Sequence, residues 1–298
     1  MYNHAFLLSG MVIVGAVLSA QAGSVHAEEA PPRTAFKVCG DPNSLPESND
    51  REEGFENKIA KLFADDLGLP LKYEWLPKRL GFIRHTLKDD DTEDGSYKCD
   101  VVMGVVEGFD RTANTQAYYH STWVMVYVKG RGLDDVKSQQ DLANLPAERK
   151  NKIRVGLYDR GPGTDWAFKY GLMESMVPYQ GMTADPNDHP GRIIVDELVP
   201  GKIDLAFVWG PVAGYYARQV KDAEVAVIPM VSEPGFKFDF RFAMGVRFGE
   251  KEWKEQLNGL IDKHRDEIKA ILAEYGIPAV EDVSGGPGGA KPADNGKK

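Results

Sequence analysis

Short, continuous apolar runs recur along this chain, and helical periodicity follows them. DVVMGV (100–105) and LAFVW (205–209) lack the polar alternation of a half-exposed strand. Runs of that kind are covered on both faces, as in parallel sheets flanked by helices. FKVCG (36–40), LKYEW (71–75) and WVMVYV (123–128) read as further strands. The helix after the first strand carries Phe55, Ile59, Leu62, Phe63 and Leu67 on one face and stops at Gly68. Leu80, Ile83 and Leu87 form a second helical stripe. A new series starts after a polar stretch near 131. It comprises the strand IRVGLY (153–158), a helix within GPGTDWAFKYG (161–171), a short helix at Ile193, Ile194, Glu197 and Leu198, and the strand IDLAFVW (203–209). After Val225–Pro229, FRFAMGVRF (240–248) leads into one long terminal helix with Trp253, Leu257, Leu260, Ile261, Ile268, Ile271 and Leu272 on its apolar face, ended by Gly276 and Pro278. The alternation predicts an α/β fold with parallel sheets. Polar breaks near 131 and 232 suggest a middle domain (131–231) inserted into an outer one (34–130 with 232–278).

The 298 residues are 42% hydrophobic and 27% charged, enough for two real cores. A formal net charge of -9 makes nucleic acid and anionic membrane surfaces poor partners, and a basic protein surface a good one. Ala5 to Ala20 is apolar, and Val25-His26-Ala27 places small residues before a cleavage point at Glu28, as in a secretory signal (1–27). An uncleaved anchor is the rival, but the run is about 14–16 residues, short for a span. No later stretch could cross a bilayer, so an exported, soluble product is expected. The tail SGGPGGAKPADNGKK (284–298) cannot bury apolar area and is expected to be disordered.

Cys39 and Cys99 are the only cysteines. In an exported chain an even pair favours a disulfide, which would close a loop of about 60 residues and contribute roughly 4 kcal/mol. Two buried thiols are the alternative. DDDTEDG (89–95) tempts a calcium assignment, but a loop starting at Asp90 has Val101 where the bidentate Glu belongs. His85, His120, His189 and His264 show no metal-ligand spacing, and no nucleophile elbow, phosphate loop or dinucleotide fingerprint occurs. Nothing here motivates an enzyme.

Two motifs suit ligand binding. GPGTD (161–165) precedes a helix, where backbone N–H groups from Gly161 to Thr164, including Gly163, can hold an anion and the Thr164 hydroxyl can cap or donate; a plain capped turn is the alternative. FDRT (109–112) places Arg111 just beyond a strand end, suited to gripping a carboxylate, or merely to pairing with an acidic neighbour. In VWGPVAGYY, Trp209 ends a buried strand, Gly210 allows close backbone approach, and Pro211 suits the first helical turn. That junction is where open α/β proteins bind ligands.

DVVMG…FDRT…YYHSTWVMVYVKG, VGLYDRGPGTDWAFKYGL and KIDLAFVWGPVAGYYA resemble segments of family 3 extracellular solute-binding proteins. CGDPNSLPESN (39–49), GFENKIAKLFADDLG (54–68), YEWLPKRLGFIRHTL (73–87), KCDVVMGV (98–105) and VWGPVAGYYA (208–217) are similar to the quinoprotein-dehydrogenase-associated MxaJ/XoxJ branch. The resemblance covers about Phe36 to Gly276. It implies a two-lobed periplasmic binding protein fold (type II), with two crossovers and a cleft between lobes. It also implies a periplasmic, monomeric, non-enzymatic accessory to a methanol dehydrogenase, assisting maturation or activation. Pyrroloquinoline quinone and the calcium or lanthanide ion belong to that partner, so this chain itself needs no cofactor. Its cleft would hold a small ligand or a partner segment, with Trp209 as apolar floor, Arg111, Gly163 and Thr164 as anion contacts, and Asp41 and Asn43 on the opposite wall. A receptor handing a small polar, non-amino-acid metabolite to an ABC importer is the alternative.

The sequence departs from the family in two places. Glu47 stands where an aromatic is usual, implying a more acidic cleft wall. Trp209 stands where amino-acid-binding relatives carry a counter-ion for the ligand ammonium, which argues against free amino acids. Both cysteines fall inside family motifs, which favours a shared role. Yet Cys39 ends the first strand and Cys99 begins its expected parallel neighbour, and opposite strand ends normally lie beyond the roughly 7 Å limit for a bridge.

Overall fold

The computed structural model describes residues 33–280 apart from 94, 160 and 181–187. The expected signal segment (1–27) and tail (284–298) lie outside the described residues. In chain order the first elements are β1 (Phe36–Gly40), a small hairpin of β2 (Asn43–Ser44) and β3 (Ser48–Asn49), and α1 (Phe55–Leu67). At the start of α1 the Asn57 side chain accepts the Gly54 N–H at 2.9 Å. At its end Gly68, with φ 64°, turns its N–H onto the Ala64 and Asp65 carbonyls. Next come β4 (Leu71–Trp75), α2 (Phe82–His85), β5 (Val101–Val106) and β6 (Ala113–Val128). The middle of the chain forms α3 (Gln139–Ala143), α4 (Ala147–Lys150), β7 (Val155–Tyr158), α5 (Pro162–Lys169) and β8 (Met176–Tyr179). Ile193–Leu198 is a helical turn widened by bonds such as Val199 N–H to the Ile194 carbonyl. Then follow β9 (Leu205–Trp209), α6 (Gly210–Gln219), β10 (Val225–Pro229), β11 (Asp239–Val246), α7 (Lys251–Lys263) and α8 (Arg265–Glu274).

Among the described residues the main ladder runs β4-β1-β5-β11-β6-β9-β7-β8, with β10 also on β6. The residues on either side of it sort into two lobes. In the first, Phe36 and Val38 of β1 pack with α1, α7 and α8, while Cys39 faces the opposite side with Leu87 and Val102. In the second, Phe207 of β9 joins Met125 and Trp166 on one face, whereas Ala206 and Val208 join Val124 and Ile194 on the other. Alternate side chains of β1 and β9 thus feed separate cores, and these two strands are covered on both faces. β1 with β4 and β5, and β7 with β8 and β9, are parallel as expected. The sheets as a whole are mixed, because β6 and β11 run antiparallel to their neighbours.

β6 is much longer than the expected strand at 123–128. Its first part pairs with β11 as far as Thr122, and from Trp123 it pairs with β9. The ladder therefore changes lobes at Thr122–Trp123, ahead of the polar break near 131. Two other expectations also change. The Leu80 stripe shrinks to the short α2, since Gly81 adopts φ 92°; Leu80 is 92% exposed while Leu87 is buried. The single terminal helix is α7 and α8, broken where His264 leaves helical geometry (φ -105°, ψ 25°).

Cys39 and Cys99 are joined by a disulfide with Cα atoms 5.4 Å apart. The strand-end objection fails because the chain bends at Lys98 and Asp100, so Cys99 does not continue the line of β5. Arg247 holds this bend in place, donating to the carbonyls of Cys99 (2.6 Å) and Leu87 (2.8 Å) and to the Asp100 carboxylate (2.6 Å).

The lobes are also fastened at the crossing point. α6 follows a second-lobe strand, yet it packs against the end of α8. Tyr215 stacks on Tyr275 with centroids 5.8 Å apart, and Arg218 donates to the Ala273 carbonyl at 3.1 Å. Gly214 lies so close to the Gly276 carbonyl that a Cβ there would sit 2.0 Å from its oxygen. The Ser121 hydroxyl donates to the Pro278 carbonyl at 2.7 Å, and that of Thr122 to the Met230 carbonyl at 2.7 Å.

Candidate functional site

The parallel strands β1, β4, β7, β8 and β9 end at a cavity of about 490 Å³ between the lobes. Ligands in open α/β folds bind at such carboxyl ends, and the volume is ordinary for a small-molecule site. The first lobe contributes Asp41 to Ser44 after β1 and Pro77, Lys78 and Arg79 after β4. The second contributes Tyr158 from the end of β7, Asp159, Gly161 and Pro162 after it, Tyr179 from β8, and Asp188, His189 and Arg192 before the widened turn. Trp123, Val208 and Trp209 also line it.

Asp41 builds the wall. Its carboxylate accepts the N–H of Asn43 at 2.9 Å and that of Lys78 at 2.6 Å, joining the two first-lobe loops. Asn43 reaches across and donates its side-chain amide to the Asp188 carbonyl at 3.2 Å. The ring of Trp209 is placed both for packing and at the cavity wall. It packs on Phe240 and Phe242, with centroids 6.2 and 5.3 Å away, and it lines the cavity beside Trp123 at 6.3 Å.

The other sequence candidates lie elsewhere. Gly210 is absent from the lining; it makes room for β6, since a Cβ there would stand 2.3 Å from the Thr122 carbonyl oxygen. Gly163 likewise admits Phe207, whose Cβ would be 2.8 Å from an added Cβ. The expected amide cradle at α5 is depleted. Gly161 N–H donates to the Tyr158 carbonyl (2.9 Å), Pro162 has no N–H, and Thr164 N–H donates to the Gly161 carbonyl (3.0 Å). Thr164 also gives its hydroxyl to the Tyr158 carbonyl at 3.1 Å. Arg111 is exposed between β5 and β6 and does not line the cavity.

Sequence reasoning missed Trp123, Lys78, Arg79 and Asp159. Lys78 and Arg79 come just after LKYEW, and Asp159 directly after IRVGLY, so the strand-end rule applied to every strand would have found them. The missing carboxylate at Trp209 is also only part of the charge inventory, because Asp159 and Asp188 face the same space.

Glu47 lies beneath the wall rather than on it. It is partly buried, with the Ser44 hydroxyl donating to it at 3.2 Å. Burial pushes its carboxyl up to about 7, Lys78 opposes that, and the neighbouring Glu56 adds to it. For Lys78, burial works against the charge, but Glu56, Glu47 and Asp41 outweigh it and hold its pKa above the ordinary value. Lys78 meets Glu56 at 3.3 Å, and Glu56 is only 4% exposed. Because Glu47 titrates above its ordinary 4.5 in the folded chain, its contribution to stability is full below about 4.5 and is lost as pH rises through about 7. Wild type should therefore lose about 2 kcal/mol relative to Glu47→Gln between about pH 5 and pH 8. Urea unfolding of both proteins across that range checks this; parallel curves would refute it.

The described geometry is that of a two-lobed periplasmic binding protein. No family model matches the chain. Among solved structures, the periplasmic binding protein XoxJ from Methylobacterium extorquens AM1 is 31% identical, with TM-score 0.66, over 83% of this chain and 100% of that one. MxaJ from Methlophaga aminisulfidivorans MPT is 26% identical, with TM-score 0.67, over 83% and 100%. Protein MoxJ of Methylorubrum extorquens is 28% identical over 280 residues, 87% of each chain. The chain belongs to the MxaJ/XoxJ family of periplasmic binding proteins.

Proposed function

We propose that this protein is a periplasmic, non-enzymatic accessory to a pyrroloquinoline-quinone-dependent methanol dehydrogenase, assisting its maturation or activation. The observation that carries this reading is the match over the whole length of the XoxJ structure. No helix among the described residues is long and apolar enough to cross a membrane. The net charge of -9 favours docking on a basic surface of the partner.

The experiment is retention of the mature protein on immobilised apo and loaded dehydrogenase over a salt series. Retention that weakens with ionic strength is expected. The importer-receptor reading has one observation in its favour, a cavity of about 490 Å³ lined by charged side chains. No retention on either form, together with a metabolite bound at micromolar affinity, would replace the accessory role with that of a transport receptor.

A further inference from the structure

Among the described residues, the charged lining of the cleft is paired with two exceptions, and those two stand on different lobes. Lys78 is bound to Glu56 at 3.3 Å, Arg192 to Asp188 at 3.3 Å, and Asp41 to two backbone N–H groups. Arg79 and Asp159 are exposed, and among the described residues neither side chain has an ion pair or a hydrogen bond. Arg79 stands beyond β4 in the first lobe and Asp159 beyond β7 in the second, and both line the same cavity. Trp123 and Trp209 lie in that lining as well, and neither indole N–H has a partner among the described residues.

The geometry points to a binding site for dipolar molecules with an anionic group and an ammonium at opposite ends of a flat, apolar body. A guanidinium takes a carboxylate in bidentate fashion, which assigns the anionic end to Arg79. Asp159 takes the ammonium. The two indoles cover the body and add a favourable face for the cation. A partly enclosed site disfavours an uncompensated charge at either end, so a ligand with one charge leaves the other wall unmatched. The proposed class carries its two charges at opposite ends of the body, which sets it apart from free α-amino acids, whose charges share one carbon. This inference rests on the cleft being a ligand site and not on the dehydrogenase partnership.

Calorimetry on the mature protein tests it with para-(aminomethyl)benzoate, benzylamine, benzoate and L-phenylalanine as probes. The first should bind at least about tenfold more tightly than each of the others. Arg79→Gln should reduce it to the level of benzylamine, and Asp159→Asn to the level of benzoate. Equal binding of a singly charged probe, tighter binding of phenylalanine, affinity unchanged by either substitution, or no binding of any probe overturns the proposal. Retention of both variants on the dehydrogenase, measured alongside, separates a failure here from a failure of the accessory role.

Discussion

Gly214→Ala is expected to destabilise the protein by about 3 kcal/mol, while Gly259→Ala stabilises it by about 0.5–1 kcal/mol. Both glycines sit inside helices, so intrinsic propensity favours alanine at each. The surroundings separate them. A Cβ at 214 would lie 2.0 Å from the Gly276 carbonyl oxygen, and main chain cannot rotate aside as a flexible side chain does. Relief requires α6 and the segment after α8 to part, which loosens the Tyr215–Tyr275 stack and the Arg218 bond to Ala273. A Cβ at 259 meets nothing within 4 Å. Urea midpoints of the two variants should move in opposite directions. If Gly214→Ala matches wild type, the close approach of α6 to Gly276 does not constrain the fold.

Removing the bridge between Cys39 and Cys99, by paired substitution to alanine, should lower stability by about 3–4 kcal/mol. The bridge spans a sequence separation of 60, so it restricts a large part of the unfolded chain. It also secures the bend before β5, where the guanidinium of Arg247 is buried among the carbonyls of Leu87 and Cys99 and the carboxylate of Asp100. If that bend loosens, the guanidinium loses these three acceptors and is left with the Glu250 carboxylate, at 2.7 and 3.0 Å, which adds to the entropic loss. The paired variant and the reduced wild type should unfold at the same, lower urea concentration. A midpoint equal to that of the oxidised protein would show that the bond contributes nothing.

Strands such as β1, β5 and β9 were legible because burial on both faces leaves a run of apolar residues, whereas β2, β3 and β8, which lack such a run, were not read. Cys39, Val102, Phe207 and Val208 needed no tertiary information to be placed in strands. The first part of β6 was not, since ANTQAYYHST mixes polar and aromatic residues at a crossing between lobes. Nor was the break at His264, because the stripe from Trp253 to Leu272 continues through it at helical spacing. At the site, Trp209, Asp41 and Asn43 could be read from the strand-end rule. Glycine was the harder signal. Gly163 and Gly210 look alike in sequence whether they admit a ligand or a neighbouring chain segment, and here both admit protein. Thr164 misled for a related reason, as its hydroxyl serves a local carbonyl. That Arg79 and Asp159 have no partner among the described residues depends on what the other charges have found, which only the folded chain decides.

A consequence for motion follows from β6. Its backbone belongs to both sheets, so a rotation of one lobe against the other has to bend this strand at Ser121 and Thr122, where the ladder changes partners. Both hydroxyls there hold carbonyls of other chain segments, at Pro278 and Met230. The pivot therefore carries its own brakes on either side. With the Tyr215–Tyr275 stack behind it and the Asn43–Asp188 bond at the cleft, any widening of the gap between the jaws has to break a contact already in place.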